Sequence, residues 1–386
     1  MTAGHAVQHF YVAGLAVVYP FVVASFHISY GLLGAVLTGA GLAGGLLQGA
    51  AGLLGRARAR VVLAAQDAGM AVSTLLGAVA PGFGLFAWAR ALGAVVSWPQ
   101  HPVGSAYLSD RFPQRRATVL SWHTAGGSLG TVSIPLVVSA VIAAAGWRWA
   151  LVALAASLGA GALLVGAGLP SESHSPVAPA PEAQAVPLRQ LLSRRPVVAV
   201  LAAATIAAGG RGLGTLSTYV PADLRTGLHL PVITVGVLFT IVMAASVAGP
   251  LLGGHLADRF GRRRTLVATY VAAAAAMVAF GYAGHSTLVL GALGAAVGLL
   301  AYAESPLLQA VFSDLTGKAA ARAAFGAFFA IAYGVGSLWT AVIGWVIDTG
   351  GFPAAFAVMA GSFVLAAAVI AVGVPGSPSP GRQLSQ

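Results

Sequence analysis

Cysteine is absent from this 386-residue chain. No disulfide and no thiolate metal site can therefore be built from it. Charge is nearly as scarce. Asp, Glu, Lys and Arg make up 8% of the residues, against about 25% in ordinary soluble domains. Acid is scarcer than base, 9 residues against 20, which gives a formal net charge of +11. A Gly-Lys-Ser/Thr phosphate loop, a Ser/His/Asp set, a His-rich motif and an acidic metal cluster are all missing from the sequence. These absences argue against a nucleotide-driven machine and against a membrane enzyme, and no cofactor is expected. What is present is apolar: 58% of the chain is hydrophobic. A bilayer core takes roughly 20 apolar residues per helix. Runs of that length recur throughout, so the composition is that of a polytopic all-α integral membrane protein. The first run has no basic segment ahead of it and is followed at once by another. It reads as a spanning helix, not a cleaved signal.

Glycine, proline and charged clusters divide the apolar sequence into twelve spans. They fall near 8–27, 31–54, 61–80, 83–108, 118–144, 149–169, 197–219, 233–256, 265–283, 287–312, 322–347 and 353–374. Residues 170–196 are different in kind. Pro-Ser-Glu-Ser-His-Ser-Pro followed by a Pro/Ala/Glu stretch cannot form a buried helix and reads as a linker. The chain thus divides into an N-terminal six-helix bundle (1–169), a cytoplasmic linker (170–196) and a C-terminal six-helix bundle with a short tail (197–386).

Basic residues orient these spans. With the N-terminus in the cytoplasm, the cytoplasmic loops hold sixteen of the twenty Lys and Arg. Only Arg148 and Arg225 fall outside, while Arg90 and Arg211 lie within spans. The positive-inside rule selects this orientation. Both termini are then cytoplasmic and the protein sits in the cell's inner (plasma) membrane. The same distribution explains the excess positive charge without invoking nucleic acid. Lipid headgroups are its expected partners.

The two halves resemble each other. Gly34 to Thr38 matches Gly236 to Thr240 at an offset of 202. Pro102, Ala106, Ser109 and Asp110 match Pro306, Ala310, Ser313 and Asp314 at 204, and Gly127-Ser128-Leu129 matches Gly336-Ser337-Leu338 at 209. The offsets lay span 2 on span 8, 4 on 10 and 5 on 11.

The loop after span 8 is the most specific stretch: Gly254-His-Leu-Ala-Asp258-Arg259-Phe-Gly261-Arg262-Arg263-Arg264. It resembles the loop signature of the major facilitator superfamily. That resemblance implies two pseudo-symmetric six-helix bundles with a substrate site between them near the midplane. It also implies secondary active transport by alternating access. Gly254 is expected to allow a close helix approach, and Gly261 a tight reversal. By resemblance, Asp258 faces Arg322 at the start of span 11 and, with Arg259 and Arg262, forms a cytoplasmic gate. The alternative is that Asp258 and Arg259 are boundary charges. The equivalent loop of the first half, Gly52 to Arg60, has arginines and no acid.

Further motifs narrow the resemblance. His9-Phe10-Tyr11 and Tyr19-Pro20 lie in span 1, and Leu47-Gln48 closes span 2. His101-Pro102 lies in span 4, Gly126-Gly127-Ser128-Leu129-Gly130 in span 5, and Gly146-Trp147-Arg148-Trp149 follows. The set is similar to the fosmidomycin-resistance-type branch of bacterial drug-efflux transporters. It departs from that branch at Val12 and Ala13, where an acidic residue is usual, and Gly130 is followed by Thr131 instead of proline.

A charge at the bilayer centre costs roughly 2.5–3.5 kcal/mol on insertion scales, so groups kept there meet water, substrate or a partner. Four stand out: Arg90, His101, Arg211 and Glu304. Arg90 resembles the superfamily's span-4 arginine, linked to proton transfer, with Gly93 three places on instead of four. Its alternative is bonding to backbone carbonyls. His101 lies between Pro99 and Pro102, which leave carbonyls free. It either titrates or bonds such a carbonyl. Arg211 sits in Gly209-Gly210-Arg211-Gly212-Leu213-Gly214, without the strand and Lys of a phosphate loop. It holds an anionic substrate or pairs with a carboxylate. Glu304, before Ser305-Pro306, carries the coupling proton or forms a static pair with Arg211. Asp67 reads as a boundary charge. Tyr11, Trp98, Tyr219, Tyr302 and Trp339 either line the cavity or pack elsewhere. His123, His255 and His285 show no metal spacing and are assigned no chemistry.

The expected function is proton-coupled export of a drug-like or anionic metabolite by a monomer. Proton-coupled import of a small organic or inorganic anion is the alternative.

Overall fold

The computed structural model describes residues 1–49, 59–170, 188–316 and 321–375. Among them every regular element is helical. The first half runs through α1 (Thr2–Phe26), α2 (Tyr30–Gly49), α3 (Ala59–Ala78), α4 (Phe83–Ser97), α5 (Gln100–Arg111), α6 (Arg116–Ala145) and α7 (Trp147–Gly168). A short α8 (Leu188–Leu192) leads into α9 (Arg195–Ala207) and α10 (Ser217–Ala222). Then come α11 (Val232–Phe260), α12 (Arg262–Gly281), α13 (Thr287–Thr316), α14 (Ala321–Phe329) and α15 (Leu338–Gly373).

Among the described residues, ten helical stretches are long and apolar enough to cross a membrane. The last, Phe325–Gly373, is two spans joined at Gly351, whose φ of 78° breaks the helix. The pair α4 and α5 supplies the remaining crossing, interrupted at Trp98 and Pro99. Twelve crossings result, as the sequence pattern predicts. The faces turned outward are apolar: Leu163, Leu251, Leu288 and Val372 are 75%, 73%, 82% and 90% exposed. A water-facing surface does not carry such side chains in rows; lipid accommodates them.

Small residues set the helix spacing. A Cβ on Gly126 would lie 2.7 Å from the Thr2 carbonyl oxygen, and one on Gly130 would overlap that of Ala6. Gly-Gly-Ser-Leu-Gly is thus the seat of α1 on α6. This contact holds α1 helical from Thr2, ahead of the predicted start at residue 8. In the second half, Gly298 and Gly249 perform the same service between α11 and α13. Their added Cβ atoms would overlap the carbonyls of Val242 and Leu299. Gly254 behaves otherwise. A Cβ there meets nothing within 4 Å, so the close approach expected at Gly254 is not what holds that glycine in place. Gly261 has φ 89° and reverses the chain between α11 and α12, as expected.

By their contacts the residues gather into two compact units. One comprises 1–178 with 217–240 and 340–349; the other comprises 179–216, 241–339 and 350–386. The boundaries therefore differ from a simple division at the 170–196 linker, and hydrogen bonds within the first unit show why. The Asp348 carboxylate accepts the backbone N–H groups of Tyr30 at 2.9 Å and Gly31 at 2.7 Å. These are orphan donors at the start of α2, and a carboxylate there also meets the positive end of the helix dipole. The Tyr30 and Thr226 hydroxyls lie 2.7 Å apart, and the Tyr219 hydroxyl donates to the Thr340 carbonyl at 2.6 Å. Gly34 leaves room for that carbonyl and Gly344 for the carbonyl of Tyr30.

Replacing Asp348 with alanine removes the acceptor for both amides. We expect a loss of about 1 kcal/mol, read as a lower melting temperature of the detergent-purified protein, with Asp348→Asn intermediate. An unchanged melting temperature for Asp348→Ala would contradict the capping role.

Candidate functional site

The second unit holds a buried ion pair. α9 ends at Ala207, and the following glycines break the helix at Arg211. Leu213 and Gly214 have non-helical backbone angles, with Gly214 at φ 129°. Glycine is needed on both sides. A Cβ on Gly210 would lie 2.9 Å from the Met359 carbonyl oxygen, and one on Gly212 would overlap the Tyr302 ring. The break leaves the Ala208 carbonyl beyond the end of α9. Thr215 Oγ1 donates to Ala208 O at 2.9 Å, and Arg211 Nη2 donates to Ala204 O at 2.6 Å.

Arg211 spends its remaining donors inward. Its Nε meets Glu304 Oε1 at 2.7 Å, and its Nη1 donates to the Ala332 carbonyl at 2.8 Å. That carbonyl lies in a widened turn spanning Ala330–Gly334. The guanidinium carbon lies 4.7 Å from the centre of the Tyr333 ring. Glu304 is 0% exposed, and its second oxygen accepts the Tyr270 hydroxyl at 3.1 Å. Of the alternatives open in the sequence, the arrangement is the Arg211–Glu304 pair. Each charge supplies what bulk water would otherwise provide.

The first unit holds Arg90, whose Nη1 donates to the Tyr11 hydroxyl and whose guanidinium carbon lies 5.0 Å from the Tyr11 ring centre. The Tyr19 hydroxyl is a further partner. Nε of Arg90 has no partner among the described residues, and no carboxylate there pairs with it. Gly93 has a steric explanation: its Cβ would overlap the Tyr11 hydroxyl. Arg90 and Tyr11 line a small cavity with Ser73, Thr74, Leu15 and Phe86. Among the described residues no backbone carbonyl bonds Arg90; phenol oxygens take that place.

His101 is exposed, just past the break at Pro99. It does not stand alone. Its ring centre is 5.3 Å from that of His5 and 6.3 Å from that of His9. His123 stacks on His5 at 4.1 Å and is 3% exposed. His123, to which the sequence assigns no chemistry, thus belongs to a four-histidine cluster. Three helices bring these residues together, and a linear pattern does not show it. The His5–His9 spacing of one helical turn was the available signal.

Asp67 also differs from expectation. It is 1% exposed, not a boundary charge. Gln66 Nε2 donates to its Oδ1 at 3.1 Å and to Gln100 Oε1 at 3.1 Å, while Asp67 Oδ2 has no partner. Of the aromatic candidates, Tyr11 lines a cavity. Tyr219 and Trp339 are spent on the carbonyls of Thr340 and Thr205, the latter at 2.9 Å.

A sequence profile of the Major Facilitator Superfamily matches residues 1–222 and 203–386, the whole length. The chain belongs to this superfamily. No curated protein sequence matches it. Solved structures share the fold at low identity. The nucleoside transporter NupG (D323A mutant) is 16% identical, with TM-score 0.81 over 97% of this chain and 98% of that one. A bacterial homologue of the human lysosomal transporter Spinster, described as inward-facing and occupied, is 16% identical with TM-score 0.71 over 96% and 93%. A D-xylose-proton symporter is 16% identical with TM-score 0.71 over 97% and 97%. Secondary transporters of this superfamily are not enzymes.

The superfamily's loop signature is only partly engaged in this member. Asp258 and Arg259 are exposed, and Arg259 lies 5.2 Å from the Phe260 ring centre. Among the described residues Asp258 makes no ion pair. The Arg322 side chain, its expected partner, lies outside the described residues, as does the Gly52 to Arg58 part of the first-half loop. Arg262 pairs with Asp314 and reaches Ala310 O at 3.4 Å. Asp314 was visible in the sequence only as the repeat image of Asp110.

Removing one member of a buried pair strands the other. Arg211→Ala or Glu304→Ala is expected to cost about 3–5 kcal/mol. The double variant should melt closer to wild type than either single one. Single variants that melt no lower than the double would contradict the pair's role.

Proposed function

We propose that the protein is a proton-coupled secondary transporter that exports a small molecule carrying an anionic group. It would work by alternating access. The supporting observation is the Arg211–Glu304 pair, 2.7 Å apart and sealed from water. A proton delivered to Glu304 cancels one half of that pair. Arg211 then keeps a full charge with two carbonyls and no counter-anion, a costly state in a water-poor site. The strain is relieved when the surrounding helices rearrange. Proton uptake is thereby tied to conformational change, and Glu304 is the proposed proton carrier.

Arg90 favours an anionic substrate group. It is a permanent cation facing a cavity, bonded to phenols and lacking a carboxylate. Export as the direction rests on the likeness to the drug-efflux branch. Arg90 also favours the second reading, proton-coupled import of a small organic or inorganic anion. That a D-xylose-proton symporter shares the fold supports protons as the coupling ion. The sixteen Lys and Arg that fall in loops on one side of the spans support an inner (plasma) membrane location with both termini inside. A monomer is the proposed working unit.

The test is flux in proteoliposomes of purified protein under an imposed pH gradient, with anionic and drug-like compounds. Wild type should accumulate its substrate, and the sign of that flux distinguishes export from import. Glu304→Gln should reduce gradient-driven accumulation to near background while retaining substrate exchange at equal pH. Undiminished accumulation in Glu304→Gln would remove Glu304 from the mechanism.

A further inference from the structure

The histidine cluster in the first unit has a feature that its hydrogen bonds make explicit. His5 and His9 are one turn apart on α1, and their Nε2 atoms face each other at 3.1 Å. The opposite nitrogen of each ring is committed. His5 Nδ1 lies 2.8 Å from the His123 carbonyl oxygen, which can only accept. His5 therefore carries its hydrogen on Nδ1. His9 Nδ1 lies 2.8 Å from Thr131 Oγ1, and the one hydroxyl hydrogen of Thr131 goes to the Gly127 carbonyl at 3.0 Å. With its hydrogen there, Thr131 accepts, and in that arrangement His9 carries its hydrogen on Nδ1.

Both Nε2 atoms then present lone pairs to each other. In that tautomer the two lone pairs, 3.1 Å apart, converge on the space that a cation would take. A third imidazole is at hand: the ligating nitrogens of His5, His9 and His101 all lie within 4.8 Å of one another. Three nitrogens bound to one tetrahedral ion at 2.0–2.1 Å stand about 3.3 Å apart. The His5–His9 separation is already close to that value. His101 is exposed and on a helix start beside the Pro99 break, the least enclosed of the three rings. The outer contacts match what a metal-bound histidine needs, a second nitrogen anchored to a carbonyl or hydroxyl. His123, 3% exposed with neither ring nitrogen partnered, closes one side. Gly127 makes the room: a Cβ there would lie 2.8 Å from His5 Cε1 and 3.0 Å from His9 Nε2.

We propose that His5, His9 and His101 form a binding site for a divalent transition-metal ion of the zinc class, with the solvent side of His101 open to a fourth ligand. Imidazole donors without thiolates suit zinc, copper or nickel over magnesium or calcium. This site is independent of the Arg211–Glu304 coupling, since ion binding at equilibrium is measured without transport.

The experiment uses the full-length protein in detergent, with its purification tag removed. Zinc is titrated against a chromophoric chelator, and the bound ion is examined by X-ray absorption. Wild type should bind one ion per chain, with three imidazole nitrogens at 2.0–2.1 Å. His101→Gln and His9→Gln should each weaken binding by more than ~100-fold, and Thr131→Val by ~10-fold through the lost anchor. Gel filtration confirms that each variant is folded. His101 is exposed, so its variant keeps the test informative even if changes at His9 disturb packing. Absence of stoichiometric binding to wild type would overturn the site and leave a shared proton as the occupant. Equal affinity in wild type and His101→Gln would place the ion elsewhere and overturn it as well.

Discussion

A guanidinium and a carboxylate 2.7 Å apart, with the carboxylate wholly away from water, constrain everything around them in the second half. Neither charge is tolerable alone in that setting. Their needs account for the local sequence. Glycines at 209, 210 and 212 break the helix so that Arg211 can turn inward. Thr215 takes up the Ala208 carbonyl beyond the break, and Arg211 bonds that of Ala204. A widened turn at Ala330–Gly334 supplies the Ala332 acceptor, and Tyr270 satisfies the second oxygen of Glu304. A run that looks flexible in sequence is thus fully committed by hydrogen bonds. A single proton on Glu304 removes half of this interaction.

The first half meets the same constraint by other means. Arg90 is held by phenols and a ring face, with no carboxylate paired to it among the described residues. His5 and His9 bring their Nε2 atoms within 3.1 Å of each other. Asp67 keeps one oxygen without a partner. Glycine contacts hold the frame that makes these arrangements possible. Gly126 and Gly130 seat α1, Gly127 makes room for the imidazoles, and Gly93 makes room for Tyr11. In lipid, helices gain little from burying apolar surface, so close backbone approach carries much of the association.

The sequence was most legible where physics acts along the chain. Apolar length marked the crossings, and Gly261 announced its reversal by its place between Asp258-Arg259 and the arginine run. Long-range partners were harder. Arg211 and Glu304 were identified as buried charges, and their pairing stood as one alternative, because a missing water shell shows in composition while a partner does not. Arg262 with Asp314, and Asp348 with the start of α2, join residues distant in sequence and left no local signal. Gly254 misled because a glycine in a motif need not mark a close contact. Asp67 misled because depth along a helix does not reveal which face is covered. The histidine cluster left no linear pattern because α1, α5 and α6 bring its four rings together only in space.

The central claim is that Glu304 accepts a proton as the pair opens. Only three glutamates occur, Glu172 and Glu182 in the linker and Glu304 in a span. Infrared difference spectroscopy of glutamate-labelled protein can therefore follow the carboxyl group directly. A protonated-carboxyl band that appears on substrate binding in wild type and vanishes in Glu304→Gln is the predicted result. An ionised Glu304 signature that never changes with substrate or pH would contradict the account.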